Sequence, residues 1–223
     1  MGYRLENKDV DLSGIKPLKY VPTKKAGDVY RYKNNVLRIF RENESHIEEE
    51  TARYLTNIST ERILLPKKLL FYNNAFKGYT MTLVSQKGSS KKIITTPLEE
   101  ILRTIEIVEN DIEILSQKKV LLNNAAPNHT LYNGELYIVD PSKYSILDLN
   151  TSKELEKINY YQLQLLLTEL IVTELNKNNY SQQVLRYIKE LLSSRETDER
   201  ISTHLNNVMN KEKNIKQYIK NRF

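Results

Sequence analysis

The sequence predicts an α+β fold of two unequal parts: a small antiparallel sheet with one helix, then a larger and mainly helical region. Three observations lead there. The first third of the 223 residues carries two pairs of short β-prone runs separated by turn residues. Residues 86–91, Gln-Lys-Gly-Ser-Ser-Lys, are the longest polar, glycine-containing stretch after the N-terminal arm. Beyond residue 96, apolar side chains recur every three or four positions, interrupted by a single hairpin signal. That order implies two lobes with a cleft between them, where ligands tend to bind.

In chain order, residues 1–20 read as an N-terminal arm and 21–86 as the small lobe. Within it, 29–32 and 36–40 are strands joined by Lys33-Asn34-Asn35, a hairpin signature. Asn43-Glu44-Ser45 offer helix caps, and Ile47, Glu50, Tyr54 and Ile58 follow at helical spacing, so a helix is expected over 44–58. A second strand pair, 67–72 and 79–84, is joined by 73–78. Residues 87–95 read as the hinge and 96–223 as the helical lobe. There Thr96 is the expected N-cap with Pro97 at the first helical position. Leu98, Ile101, Leu102, Ile105, Val108, Ile112 and Leu115 supply one apolar face up to about residue 118. Asn133-Gly134, between apolar runs at 130–132 and 135–139, is the strongest short hairpin signal in the chain. Further helices are expected near 153–177, 181–194 and 197–221.

Composition narrows the function classes. With 39% apolar and 28% charged residues the chain is globular, and six Gly and six Pro exclude collagen-like or low-complexity architecture. No Cys means no disulfide, thiolate zinc site or cysteine nucleophile. Three scattered His (His46, His129, His204) argue against a histidine-rich metal site. No apolar run approaches the roughly 20 residues of a membrane span, and the first residues lack a signal core. The expectation is a soluble, cytoplasmic protein. The net charge is +6 with a pI near 9.2. The Lys, however, is scattered among Asn, Ile and Tyr, as in products of AT-rich genomes. A solvated surface is therefore expected in preference to a nucleic-acid site. The segment a basic binding module would use is the C-terminal one carrying Lys211, Lys213, Lys216, Lys220 and Arg222.

Several motifs then occur in a telling order. Ala26-Gly27-Asp28-Val29-Tyr30 precedes the strand Val36-Leu37-Arg38-Ile39-Phe40, and a helix carrying Glu49 and Glu50 follows. Met81-Thr82-Leu83-Val84 leads into the polar hinge. Val120-Leu-Leu-Asn-Asn-Ala-Ala-Pro-Asn-His-Thr comes next, then the hairpin, then Leu136-Tyr137-Ile138-Val139-Asp140-Pro141-Ser142. This succession, over roughly residues 20–195, resembles the protein-kinase-like superfamily, which spans protein kinases, small bacterial ones included, and small-molecule phosphotransferases of the aminoglycoside-kinase type.

The resemblance implies a two-lobed kinase-like fold and gives the residues expected roles. Gly27 and Val29 correspond to the end of the phosphate-covering glycine-rich loop, Met81 and Leu83 to the strand beside an adenine, and Arg38 to the strand lysine. Glu50, or Glu49 in an adjacent register, corresponds to the glutamate partner of that lysine. Asp140 corresponds to the metal-binding aspartate. The departures fall on the chemistry. The catalytic aspartate becomes Asn124 with His129 at the metal-side asparagine, or Asn123 with Asn128 one residue earlier; under either register the proton acceptor is a neutral amide. His129 is a poor ligand for Mg²⁺, which prefers oxygen. Arg38 is not a neutral replacement for lysine. Pro-Ser, not Phe-Gly, follows Asp140. Asn159 stands where an aspartate often braces the catalytic loop. The 18 or so residues from Asp140 to Asn159 are too few for a full activation segment.

The resemblance therefore implies a degenerate kinase-like protein, a pseudokinase or weak binder of ATP with Mg²⁺, working through an unknown protein partner. The alternatives are an active, divergent Mg-ATP phosphotransferase acting on a protein or a small molecule, and a basic module for nucleic acid or an acidic protein.

Overall fold

The computed structural model describes residues 2–17, 28–41, 46–84, 92–123, 125, 129–132, 134–148, 151–197 and 199–223. The chain forms two units. One comprises Met1–Thr60, Leu64–Val84 and Asp140–Ser145; the other comprises Glu61–Ile63, Ser85–Val139 and Ile146–Phe223.

The first unit is a seven-stranded antiparallel sheet with one helix. Its elements are β1 (Tyr3–Leu5), β2 (Lys8–Val10), β3 (Lys16–Pro17), β4 (Asp28–Tyr32), β5 (Asn35–Ile39), α1 (Glu49–Leu55), β6 (Lys68–Tyr72) and β7 (Ala75–Thr82). The strands lie in the order β2-β1-β6-β7-β5-β4-β3. Residues 3–10, read from sequence as part of an arm, make the hairpin β1–β2 and pair with β6. Its apolar content is thin, but Leu5 is buried with Leu37 and Leu70, and Tyr3 and Val10 pack against them. Exposed Lys8 and Asp9 on β2 give the sheet a charged edge, which discourages pairing with other chains.

Turn chemistry sets the registers. Asn73 and Asn74 take φ of +50° and +67°, a two-residue turn whose twist suits a hairpin. Asn tolerates this left-handed backbone, so β7 begins at Ala75 where the sequence reading kept a six-residue loop. Gly78 sits where β7 passes close to β5: a Cβ there would lie 1.9 Å from the carbonyl oxygen of Arg38. Backbone cannot yield as a flexible side chain does. Gly78→Ala is expected to cost at least about 1–3 kcal/mol in urea denaturation. An unchanged midpoint would contradict this strand spacing.

Strand alternation sorts β5 into two faces. Leu37 and Ile39 join the Leu5–Leu70 cluster, with Tyr30 and Tyr32 packed alongside. Arg38 and Phe40 are buried on the other face. There Phe40 stacks on His46 with ring centroids 4.2 Å apart and meets Tyr79 edge-on at 5.7 Å. Helix α1 buries Ala52 and Leu55.

The second unit is mainly helical. Its elements are α2 (Leu98–Gln117), β8 (Val120–Leu121), β9 (His129–Tyr132), β10 (Glu135–Ile138), α3 (Ser152–Lys177), α4 (Gln182–Ser193), α5 (Ile201–Met209) and α6 (Ile215–Lys220). The expected apolar face of α2 is buried apart from half-buried Leu102. The N-cap of α2 is Pro97, one residue later than expected. The Thr96 hydroxyl instead donates to the Lys92 carbonyl and closes the preceding 3-10 turn, Ile93–Thr95. β9 and β10 form the expected hairpin, with Gly134 at φ +85°; Asn133 lies outside the described residues. A capping box, Thr151 with Glu154, starts α3. The expected helix over 197–221 is two helices, because the Asn214 side chain accepts from the Gln217 N–H and starts α6 afresh.

A three-residue segment, Glu61–Ile63, is held by this unit. The Asp111 carboxylate on α2 accepts from the N–H groups of Glu61, Arg62 and Ile63. The Ile138 N–H donates to the Arg62 carbonyl at 3.0 Å. No helix among the described residues is long and apolar enough to cross a membrane.

Candidate functional site

The site forms inside the first unit, on the sheet face that carries Arg38. Val29 lies opposite Arg38 across β4–β5, and Arg38 opposite Tyr79 across β5–β7. Met81 lies two residues beyond Tyr79 and opposite Val36, so it shares this face. Met81 is buried; Leu83, just past the end of β7, is partly so.

Asp140 comes to Arg38 from 102 positions further along the chain. The Arg38 Nη1 donates to Asp140 Oδ1, with side-chain exposures of 5% and 10%. The same oxygen accepts from the Ser142 N–H at 3.0 Å, which makes Asp140 the cap of the 3-10 turn Pro141–Lys143. Here the Pro-Ser that follows Asp140 has a physical role. Pro141 supplies a preset φ at the first turn position, and Ser142 supplies an amide aimed back at the carboxylate.

Tyr79, fully buried, stands against the guanidinium. Burial pushes its hydroxyl well above the ordinary phenol range, Arg38 draws it partly back, and Asp140 adds to the rise. Burial by itself would lower the pKa of Arg38; Tyr79 and Asp140 outweigh it, and the net direction is up. Arg38 is thus a permanent cation. The sequence reading missed Tyr79 and Ser142. The sequence signal for Ser142 was the Asp-Pro-Ser turn signature; Tyr79 is set opposite Arg38 only by the β5–β7 register.

Other expected residues lie elsewhere. Glu50 is exposed on α1, and Glu49 pairs with Arg53 at 2.9 Å; the carboxylate on Arg38 is that of Asp140. Gly27, Asn124 and Asn128 fall outside the described residues. His129 opens β9 in the second unit, its side chain outside the description; Asn123 follows β8 there. Asn159, fully buried on α3, donates to the Val120 carbonyl at 2.9 Å and to Ser116 Oγ at 3.0 Å. It accepts from the Leu122 N–H at 2.8 Å. It therefore braces the backbone that leads into residues 123–129, with an amide that both gives and receives.

A divalent metal of the kind the resemblance implies fits this donor set poorly. Asp140 Oδ1 already takes two donors, and a guanidinium fills the adjacent space. Among the described residues no three His, Cys, Asp or Glu side chains gather as a metal would need.

No family model matches the chain, and no curated protein matches it. Among solved structures, the protein kinase PK-1 of the Cydia pomonella granulovirus superposes with a TM-score of 0.53 at 13% sequence identity, over 83% of this chain and 77% of that one. At that identity the likeness shows the fold alone, and the fold is protein-kinase-like: an antiparallel sheet unit followed by a helical one.

Proposed function

We propose that the chain is a pseudokinase: a kinase-like scaffold that does not transfer phosphate and acts by binding a partner protein. One observation carries this reading, the buried Arg38–Asp140 ion pair capped by the Ser142 amide. Phosphoryl transfer is catalysed almost wholly by charge placed on the phosphates and their metal. A strand cation and an aspartate neutralising each other leave little net charge for either task. The amide at Asn124 or Asn123 adds a second deficit, since losing general-base assistance removes about 10²–10⁴-fold of rate.

The test is ATP turnover by the purified chain in Mg²⁺ and in Mn²⁺, with Asp140→Ala as control. The expected result is no release of ADP above the buffer rate, identical for both proteins. Turnover in the wild type that Asp140→Ala abolishes would instead establish a divergent phosphotransferase.

A further inference from the structure

We propose that Arg38 is the resident counter-cation of Asp140, closing that carboxylate to divalent metal, so that the site is metal-blind and any anion it takes is taken without metal. This deepens the pseudokinase reading and rests on it, but it concerns ion binding and not turnover.

Three features point this way. Contact comes first: Nη1 of Arg38 is bonded to Oδ1, the oxygen that also caps the turn, so removing Arg38 would not by itself unfold the Asp140 turn. Burial comes second. With the two side chains 5% and 10% exposed, there is little water to screen a divalent ion from the guanidinium beside it. Chemistry comes third. A buried lysine can shed its proton and make way, whereas an arginine cannot; its charge on Asp140 is permanent. Among the described residues no three His, Cys, Asp or Glu side chains gather around Asp140 as a metal would need.

Thermal unfolding of the full chain with EDTA, Mg²⁺ or Mn²⁺ tests this, using wild type, Arg38→Gln and the double variant Arg38→Gln/Asp140→Asn. The wild-type midpoint should not respond to either metal. Arg38→Gln should unfold earlier than wild type and be stabilised saturably by Mn²⁺, binding it at least about tenfold more tightly once the adjacent like charge is gone. The double variant, which has no carboxylate, should show no response. Saturable stabilisation of the wild type by either metal, lost in Asp140→Asn, overturns the proposal, as does an Arg38→Gln variant that folds but ignores Mn²⁺. If Arg38→Gln fails to fold, the free-Mn²⁺ electron paramagnetic resonance signal titrated with wild type decides. An undiminished signal supports the proposal; a saturable loss that Asp140→Asn abolishes refutes it. Because no arm measures ATP hydrolysis, a metal-binding wild type without turnover would sink this inference and leave the pseudokinase reading standing.

Discussion

Replacing Asp140 with alanine lowers the stability of the protein by about 3–5 kcal/mol, and Arg38→Met does the same, while Arg38→Met/Asp140→Leu recovers most of the loss. The asymmetry follows from where the pair sits. Arg38 stands on its sheet face beside Tyr79, Met81 and Phe40, all buried. Each charge is tolerated there only because the other is bonded to it. Deleting one strands the other in a medium that solvates it badly, whereas replacing both removes two desolvation costs with one attraction. Asp140→Asn should fall between: its amide oxygen can still cap the Ser142 N–H, so the turn survives while the charge balance does not. Urea denaturation arranged as a double-mutant cycle measures this, and Gln or Leu at position 38 controls for packing. If each single replacement cost less than about 1 kcal/mol, the value typical of an exposed pair, Arg38 and Asp140 would be solvated. The case for a self-neutralised site would then fail with them.

How much of this was legible in the sequence varies with the physics involved. Elements fixed by local rules read well. The 3–4 spacing from Leu98 to Leu115 became α2, and the hairpin expected between the apolar runs at 130–132 and 135–139 became β9 and β10. Arg38 and Asp140 could be singled out through the kinase-like resemblance, which places one at the strand lysine and the other at the metal-binding aspartate. That they partner one another, with Glu50 left in solvent, depends on a contact across 102 residues that no spacing rule encodes. The β1–β2 hairpin escaped notice because only Tyr3, Leu5 and Val10 carry its apolar face, and short polar edge strands give almost no periodic signal. The break before α6 was missed because Asn214 looks like any surface asparagine until its side chain is seen capping Gln217.

The acidic residues of α2 show the same limit and give the second large effect. Glu109 falls four positions from the buried Ile105 and three from Ile112, and Asp111 three from Val108 and four from Leu115. They therefore lie toward the packed side of the helix. The Glu109 side chain is fully buried. It accepts from the N–H groups of Ile201 and Ser202 and from the Ser202 hydroxyl, capping α5 from a neighbouring helix, with Arg200 Nε 3.2 Å away. Glu109→Ala leaves those donors without acceptors and should cost about 3–5 kcal/mol; Asp111→Ala should cost a comparable amount by freeing three amides of Glu61–Ile63.

The pH dependence runs against the usual carboxylate direction. Burial raises the pKa of Glu109 above 4.5 and that of Asp111 above 3.8, although their hydrogen bonds pull both back. A folded-state value above the unfolded one means the native protein binds more protons in the interval between them. The contribution of these groups to stability is therefore complete below the unfolded values and is lost as pH rises through the folded ones. Glu109→Gln cannot titrate. Its deficit relative to wild type should accordingly narrow as pH climbs from about 4 toward 8, and Asp111→Asn should behave alike from a slightly lower starting point. Urea midpoints of wild type and both variants across that range make the comparison. A deficit that widened with pH would mean that the amides, Ser202 and Arg200 hold these carboxylates in their charged form more strongly than burial opposes it. In that case the two clamps on α2 would be strongest at neutral pH instead of being partly strained by it.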